Sequence, residues 1–201
     1  MNTKELILNK IKEEGLKAFS TSDFLDINAY KNISKALEQL EDDKIIIRAR
    51  RGIYYIANYD NELGMFEAPN MKDIADAIAR QFNWTISPSG NYALNILGLS
   101  TQVPSKYVFV SNGPYNKYSV GKSIIEFKHT TSKELGDYPY GVLLAIQALK
   151  KIGKDHIDDN IRFKIRQNLS QQERLFIING KNVITSWILQ ELKRIAEEKD
   201  V

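Results

Sequence analysis

The chain has 201 residues and no cysteine, which excludes disulfides, thiol catalysis and cysteine-ligated zinc. Its composition is 43% hydrophobic, enough for a buried core, and its formal net charge of +3 does not by itself indicate nucleic-acid binding. The first residues, MNTKELILNKIKEEG, predict a charged amphipathic helix rather than a signal peptide. Because no apolar run approaches the roughly 20 residues of a membrane span, we expect a cytoplasmic protein without a membrane partner.

Two helices are predicted at the start of the chain. Residues 3–14 place their apolar side chains on one side, and Gly15 is a typical C-terminal stop. Ser20 and Asp23 have the spacing of a capping box, which predicts a short second helix ending near Asn28.

A third helix is predicted from Ala29 to about Asp42, with Asn28 as its N-cap. Four apolar residues at the 0, 3, 4, 7 spacing predict one buried stripe: Ile33, Ala36, Leu37 and Leu40. The opposite face would carry Lys31 and Lys35.

Residues 44–57, KIIIRARRGIYYIA, predict a β-hairpin that turns through Arg50, Arg51 and Gly52. Three helices followed by a hairpin is the order of a winged helix-turn-helix, whose third helix enters the major groove while its wing approaches phosphates. Arg48, Arg50 and Arg51 would then contact phosphates. Base reading would fall to the front of the third helix, at Asn28, Tyr30, Lys31, Ser34 and Lys35.

A second interpretation of these residues stays open. Lysines on an exposed helix face are commonly only solvated, and winged helices also dock proteins. Residues 1–60 hold equal numbers of acidic and basic side chains, so strong non-specific DNA binding is not expected. Affinity for DNA would need two copies of the chain or help from its second domain.

The remaining sequence predicts a linker at residues 61–70 and a second domain at 71–201. Asn70 would cap a helix over residues 71–82 that turns Phe82 inward. In SPSGNYALNILGLSTQVP, residues 87–104, Ser87 before Pro88 predicts a helix start. Gly98 would end this helix with a Schellman motif, in which Leu99 touches Leu94.

Strands and then helices are predicted beyond this stretch. The strands would cover residues 106–112, 116–120 and 123–130, and the helices 139–151, 158–168 and 183–198, with a further helix opened by a capping box at Ser170. The fold class predicted for the whole chain is α+β: an N-terminal winged helix-turn-helix and a mainly helical domain with a small antiparallel sheet.

The sequence does not predict a catalytic, cofactor or metal site. Residues 120–123, VGKS, lack the first glycine of a phosphate loop, since Asn116 stands there, and strands are predicted on both sides. His129 and His156 are far apart, and the acids beside His156 are typical of a helix start. Ser89 does not lie in a G-x-S-x-G elbow. We therefore expect that the protein is not an enzyme.

Three stretches carry a resemblance to a known family: RRGIYYIA in the wing, the run from IADAIARQFNWT through SPSGNYALNILGLSTQVP to SKYVFVSNGP, and IIEFKHT. They resemble the AbiEi-like antitoxins of type IV toxin–antitoxin systems, over about residues 5–195. The resemblance implies a winged-helix repressor that binds operator DNA upstream of its own operon, with contacts at Lys31, Ser34, Lys35, Arg48, Arg50 and Arg51.

The resemblance further implies that the C-terminal domain counters a nucleotidyltransferase-like toxin, as a functional partner rather than in a stable complex. The alternative is a protein–protein interaction module whose winged helix docks a partner instead of DNA.

Overall fold

A computed structural model describes residues 2–56, 58–180 and 184–197. The chain forms two compact units. The first holds the chain up to Trp84 together with Ser119–Gly121, and the second holds Thr85–Tyr118 and the chain from Lys122 on. In the described residues no helix is both long and apolar enough to cross a membrane.

The first unit alternates helices with short strands. In chain order these elements are α1 (Thr3–Glu14), β1 (Ala18–Ser20), a 3₁₀ helix (Thr21–Phe24), α2 (Tyr30–Asp42), β2 (Ile46–Arg50), β3 (Ile53–Ile56), β4 (Tyr59–Asp60), β5 (Met65–Phe66) and α3 (Met71–Gln81). The bounds of α1 and its left-handed Gly15 cap are confirmed, as is the Ser20–Asp23 capping box, which opens a single 3₁₀ turn.

Strands β1, β3 and β2 form an antiparallel sheet in that order. The predicted hairpin is β2–β3, with Gly52 in its turn at φ 79° and an irregular register between Arg48 and Arg50. Strand β1 was not predicted, because its three residues are all buried and show no alternation.

The core of the first unit lies between α1, α2 and this sheet. The predicted stripe of α2 is buried as expected, and it packs with Ile7, Ile11, Phe19, Phe24 and Ile46. The rings of Phe19 and Phe24 meet edge to face, with 5.5 Å between centroids.

Helix α3 lies in the first unit, although residues 71–201 were predicted to form the second domain. It packs on β1 and β3. Arg80 holds it there, since Nη2 donates to the Ala18 carbonyl at 2.7 Å and Nε donates to Asp23 at 3.0 Å. The division therefore falls after Trp84, and the predicted linker at 61–70 contains β5. Phe82 is 47% exposed and stacks on Trp84, so its predicted inward position is wrong.

The second unit combines a four-stranded sheet with helices. Its elements are β6 (Ile86–Pro88), α4 (Gly90–Ile96), β7 (Lys106–Ser111), β8 (Asn116–Val120), β9 (Ser123–His129), α5 (Ser132–Leu135), α6 (Tyr140–Ile152), a 3₁₀ helix (Lys154–His156), α7 (Asp159–Gln167), α8 (Gln171–Asn179) and α9 (Ser186–Glu197). Val183 and Glu198, the predicted ends of the last helix, lie outside the described residues.

The sheet of the second unit has the order β6-β7-β9-β8 and mixed pairing. Strand β6 is antiparallel to β7, as predicted for this sheet, but β7 and β9 are parallel. Strand β8 runs in the direction opposite to β7, and β9 runs in the same direction as β7. Because β9, and not β8, pairs with β7, this pairing is parallel.

The stretch at 87–104 begins as a strand rather than a helix. Ser87 and Pro88 lie in β6, and the N-cap of α4 is Ser89, whose hydroxyl donates to the Gln147 side chain at 3.1 Å. The C-terminal prediction is confirmed. Gly98 has a φ of 66°, and the Leu99 amide donates to the Leu94 carbonyl at 2.8 Å, as in a Schellman motif.

Helix α6 is the most buried helix of the second unit, since every residue from Gly141 to Leu149 is buried. It packs against α4, α8 and α9. The Ser170 capping box is confirmed at the start of α8, where Glu173 also accepts the Gly141 amide at 2.7 Å.

Candidate nucleic-acid interface

Helix α2 turns a polar face outward because its apolar stripe is buried. Lys31 and Lys35 are exposed on this face, and Ser34 is half-buried. Tyr30, in the first turn, is 63% exposed, although an aromatic ring of this size usually finds a packing partner. Four of the residues predicted to read bases are thus at the surface of one helix.

Asn28, the fifth, differs from its prediction. The N-cap of α2 is Ala29, with no side-chain cap. Asn28 Oδ1 instead accepts from the Ala29 amide at 2.8 Å and from the Asn32 side chain at 2.9 Å, while its Nδ2 donates to Thr3 Oγ1 at 3.2 Å. Asn28 therefore joins the start of α2 to the start of α1, and its polar atoms are already in use.

The three predicted wing arginines have different surroundings. Arg51 is exposed in the turn between β2 and β3, beside the left-handed Gly52. Arg50 is half-buried at the end of β2 and contacts other residues of the chain. Arg48 lies further down β2, opposite Tyr54 rather than at the tip.

Arg48 is held by two neighbours. Its Nη2 donates to Glu41 of α2 at 2.6 Å, and its guanidinium lies 5.3 Å from the centroid of the Tyr54 ring. Partial burial opposes the charge, but Tyr54 and Glu41 outweigh it and raise the pKa of Arg48 above its ordinary value. A phosphate would have to compete with Glu41 for this side chain.

The charges of α2 are unevenly spread along its length. Lys31 and Lys35 lie in its N-terminal half, where the described residues include no ion-pair partner for either. Glu38 and Glu41 lie towards its C-terminal end, followed by Asp42 and Asp43. This polarity suits a helix that presents its N-terminal half to an anionic partner.

A shallow groove of about 340 Å³ runs between the start of α1 and the polar face of α2. Lys35, Asn32 and Gln39 line it from α2, and Lys4 lines it from α1, where it pairs with Asp43 at 3.0 Å. No role was predicted from the sequence for Asn32, Gln39 or Lys4. Asn32 and Gln39 could have been assigned to this surface from the sequence, because residues 32, 35 and 39 have the spacing of one helix face.

The other residues considered from sequence are not among those that form this surface. In the described ranges no three His, Asp or Glu side chains are placed to hold a metal ion. His129 Nδ1 lies 2.9 Å from the Gly113 carbonyl oxygen, and His156 is exposed on a 3₁₀ turn. Residues 121–122 form the turn between β8 and β9, which is the strand context predicted for VGKS.

Two comparisons with known proteins bear on the chain. The model of DUF6088, a family of unknown function, matches residues 6–177. A search of curated proteins gave no match.

Proposed function

The chain belongs to the DUF6088 family, and we propose that it is a DNA-binding transcriptional regulator whose first unit works as a winged helix-turn-helix. The observation that carries the proposal is the exposed polar face of α2 next to a hairpin with an exposed arginine at its turn. The order helix, strand, short helix, helix, hairpin is the order that this DNA-binding module uses.

In this proposal α2 is the recognition helix and β2–β3 is the wing. Tyr30, Lys31, Ser34 and Lys35 face the bases, because these residues occupy the N-terminal half of the exposed face. Arg51 contacts a phosphate from the turn, with Arg50 beside it. Arg48 adds a phosphate contact only when it leaves Glu41, which makes it a weaker contributor.

The resemblance to AbiEi-like antitoxins extends the proposal to a biological role. The regulator represses its own operon, and its second unit counters a nucleotidyltransferase-like toxin encoded beside it without forming a stable complex. What supports this role is the resemblance of residues 84–113, its most specific part, which include SPSGNYALNILGLSTQVP and contain β6, α4 and β7.

The DNA-binding proposal is tested by fluorescence anisotropy, with the DNA upstream of the protein's own coding sequence and a scrambled duplex of equal length. We expect tighter binding to the upstream DNA and affinity that falls with salt. The change Lys31→Ala should cost about 1–3 kcal/mol at one base position and relax specificity there. Lys12→Ala, an exposed lysine at the end of α1, is the control.

Two results would point elsewhere. Absence of binding to either duplex at low salt would favour the protein-docking module over the DNA reader. An equal loss on all sequences for Lys31→Ala would restrict α2 to phosphate contact.

The antitoxin role is tested by co-expression with the product of the adjacent open reading frame. We expect the full chain to rescue growth and a chain lacking residues 85–201 to fail. Rescue by the shortened chain would contradict this division of roles between the units.

A further inference from the structure

The second unit contains a cleft of about 490 Å³ that three lysines line. Among the residues that the structure describes, its charged lining consists of Lys106, Lys128 and Lys151, and no Asp or Glu lines it. Polar side chains such as Ser89 and Asn91 form another part of its wall, and Val103, Pro104 and Val108 supply apolar surface.

Three separate elements bring these lysines together. Lys106 is the first residue of β7, Lys128 is near the end of β9, and Lys151 is in the last turn of α6. In the parallel register Lys106 pairs with Ile124 and Val110 pairs with Lys128. The two strand lysines thus point to the same side of the sheet, because side chains alternate with a period of two.

Two of the three positive charges are not balanced nearby. Lys106 Nζ lies 3.1 Å from the buried carboxylate of Glu126. Within the part of the chain that the structure describes, Lys128 and Lys151 have no ion-pair partner. Like charges lining a concave surface focus the field and raise the local concentration of anions.

The chemistry of the lining selects among anions. Lysine ammonium groups bind phosphate as point charges, and several together suit a group with more than one negative charge. The volume lies within the range of small-molecule sites, and the apolar wall offers contact for a part of the ligand without charge.

We propose that this cleft binds a phosphate group carried by a nucleotide-sized ligand, with Lys128 and Lys151 as its principal contacts. The phosphate belongs to a free nucleotide or to a nucleotide of a single-stranded nucleic acid, which share this chemistry. Residues of the second unit form this cleft and residues of the first unit form the surface proposed to bind DNA, so failure of either proposal leaves the other intact.

The test is isothermal titration calorimetry on the full chain with ADP, inorganic phosphate, adenosine, succinate and a ten-residue oligothymidylate, at constant ionic strength. We expect ADP or the oligonucleotide to bind, phosphate to compete with it, and adenosine and succinate to bind at least tenfold more weakly. Lys128→Gln with Lys151→Gln should weaken binding about tenfold or more.

The control is Lys193→Gln, an exposed lysine of α9 outside the cleft, which should leave the Kd within twofold of the unchanged chain. Circular dichroism melting verifies that each variant is folded, and single Lys128→Gln and Lys151→Gln chains replace the double variant if it is not. If ADP binds and the oligonucleotide does not, the ligand is a free nucleotide; the reverse identifies a nucleic acid.

Three outcomes would overturn the proposal. These are the absence of binding by ADP, phosphate and the oligonucleotide, succinate binding as tightly as ADP, and lysine variants that bind as tightly as the Lys193→Gln control.

Discussion

Glu41 accepts a 2.6 Å hydrogen bond from Arg48, and this ion pair joins the C-terminal part of α2 to strand β2. Both side chains are partly exposed, with 31% and 41% of their side-chain surface accessible, so the pair contributes little to stability. Its larger consequence is for the proposed DNA contact, because the carboxylate occupies a guanidinium that could otherwise reach a phosphate.

We expect Glu41→Ala, which removes the acceptor of the Arg48 hydrogen bond, to strengthen DNA binding severalfold and to steepen the salt dependence by about one unit, since a released Arg48 adds one phosphate contact. Anisotropy titrations across a salt series measure both. Glu38→Ala is the matched control, because it removes the same charge from the same helix and leaves the Arg48–Glu41 hydrogen bond in place. Equal effects of the two variants would show that the change in net charge, and not the release of Arg48, strengthens binding.

The wing is tested by Arg50→Ala with Arg51→Ala. We expect weaker binding to every duplex and a salt slope lower by about 2, because two phosphate contacts are lost and neither carries sequence information. An unchanged salt slope in the same titrations would rule out the hairpin as a DNA-contacting wing.

The division after Trp84 predicts how the first unit can be isolated. We expect a fragment of residues 1–84 to melt cooperatively, and a fragment of residues 1–70 to be unfolded or much less stable. The shorter fragment loses α3, including the fully buried Ile74 and Ile78 and the Arg80 bonds to β1 and Asp23. Circular dichroism melting compares them, and equal melting temperatures would show that α3 is dispensable.

Gly141 is predicted to resist substitution although it lies in a helix. A Cβ built there meets Glu173 Oε1 at 2.5 Å, so Glu173 must move and give up its bonds to the Gly141 and Ser170 amides. We expect Gly141→Ala to cost about 1–2 kcal/mol of unfolding free energy. In a Glu173→Ala chain the same change should be neutral or stabilising by up to about 1 kcal/mol. Urea denaturation of the wild type, the two single variants and the double variant measures the coupling between the two positions. If the two changes in unfolding free energy simply add, the prediction is wrong.

Glu126 is expected to make the stability of the second unit fall at low pH. Burial raises its pKa, but Lys106 and the Tyr115 hydroxyl outweigh burial and hold the pKa below its ordinary value. Lys106 Nζ is 3.1 Å from Oε2, yet this oxygen lacks a hydrogen bond of good geometry in the described structure, so the attraction is mainly one of charge.

Because the folded-state pKa of Glu126 is lowered, the carboxylate stabilises the fold above its unfolded pKa, about 4.3. This contribution is lost as the pH falls through the folded value. We expect the wild-type chain to have a higher free energy of unfolding than Glu126→Gln at pH 7, and this difference to shrink as the pH falls to 3. Urea denaturation across this pH range measures it. A difference independent of pH would contradict the lowered pKa.

Much of the secondary structure could be predicted from residues that are close together in the sequence. The bounds of α1, the buried stripe of α2, the Ser170 capping box and the left-handed stop at Gly98 were all predicted, because each depends on side chains within one or two turns of the backbone. For the same reason the exposed face of α2 could be assigned from its spacing. The turn of the β2–β3 hairpin was also predictable, since Gly52 follows a run typical of a strand.

Contacts between distant segments could not be predicted in this way. Pro88 is in a strand because Ser87–Pro88 pairs with β7 across 20 or so positions, and β9 is parallel to β7 because it inserts beside it. Arg48 pairs with Glu41 because the chain between α2 and β2 turns back and brings together two side chains seven positions apart, which no periodicity rule predicts. The free energies that choose among such pairings come from burial and charge summed over the folded chain, and no window of sequence contains them.

The amino-acid order was thus sufficient for the ends of α1, for the Ser170 and Gly98 caps and for the buried face of α2, since near-neighbour hydrogen bonds govern helix caps and side-chain spacing governs the buried face. Only the tertiary structure decided that α3 belongs to the first unit and that Arg48 pairs with Glu41. It also decided that Lys106, Lys128 and Lys151 line the same cleft. These outcomes depend on which distant residues come within a few ångströms of one another, because packing and electrostatic forces act through space rather than along the chain.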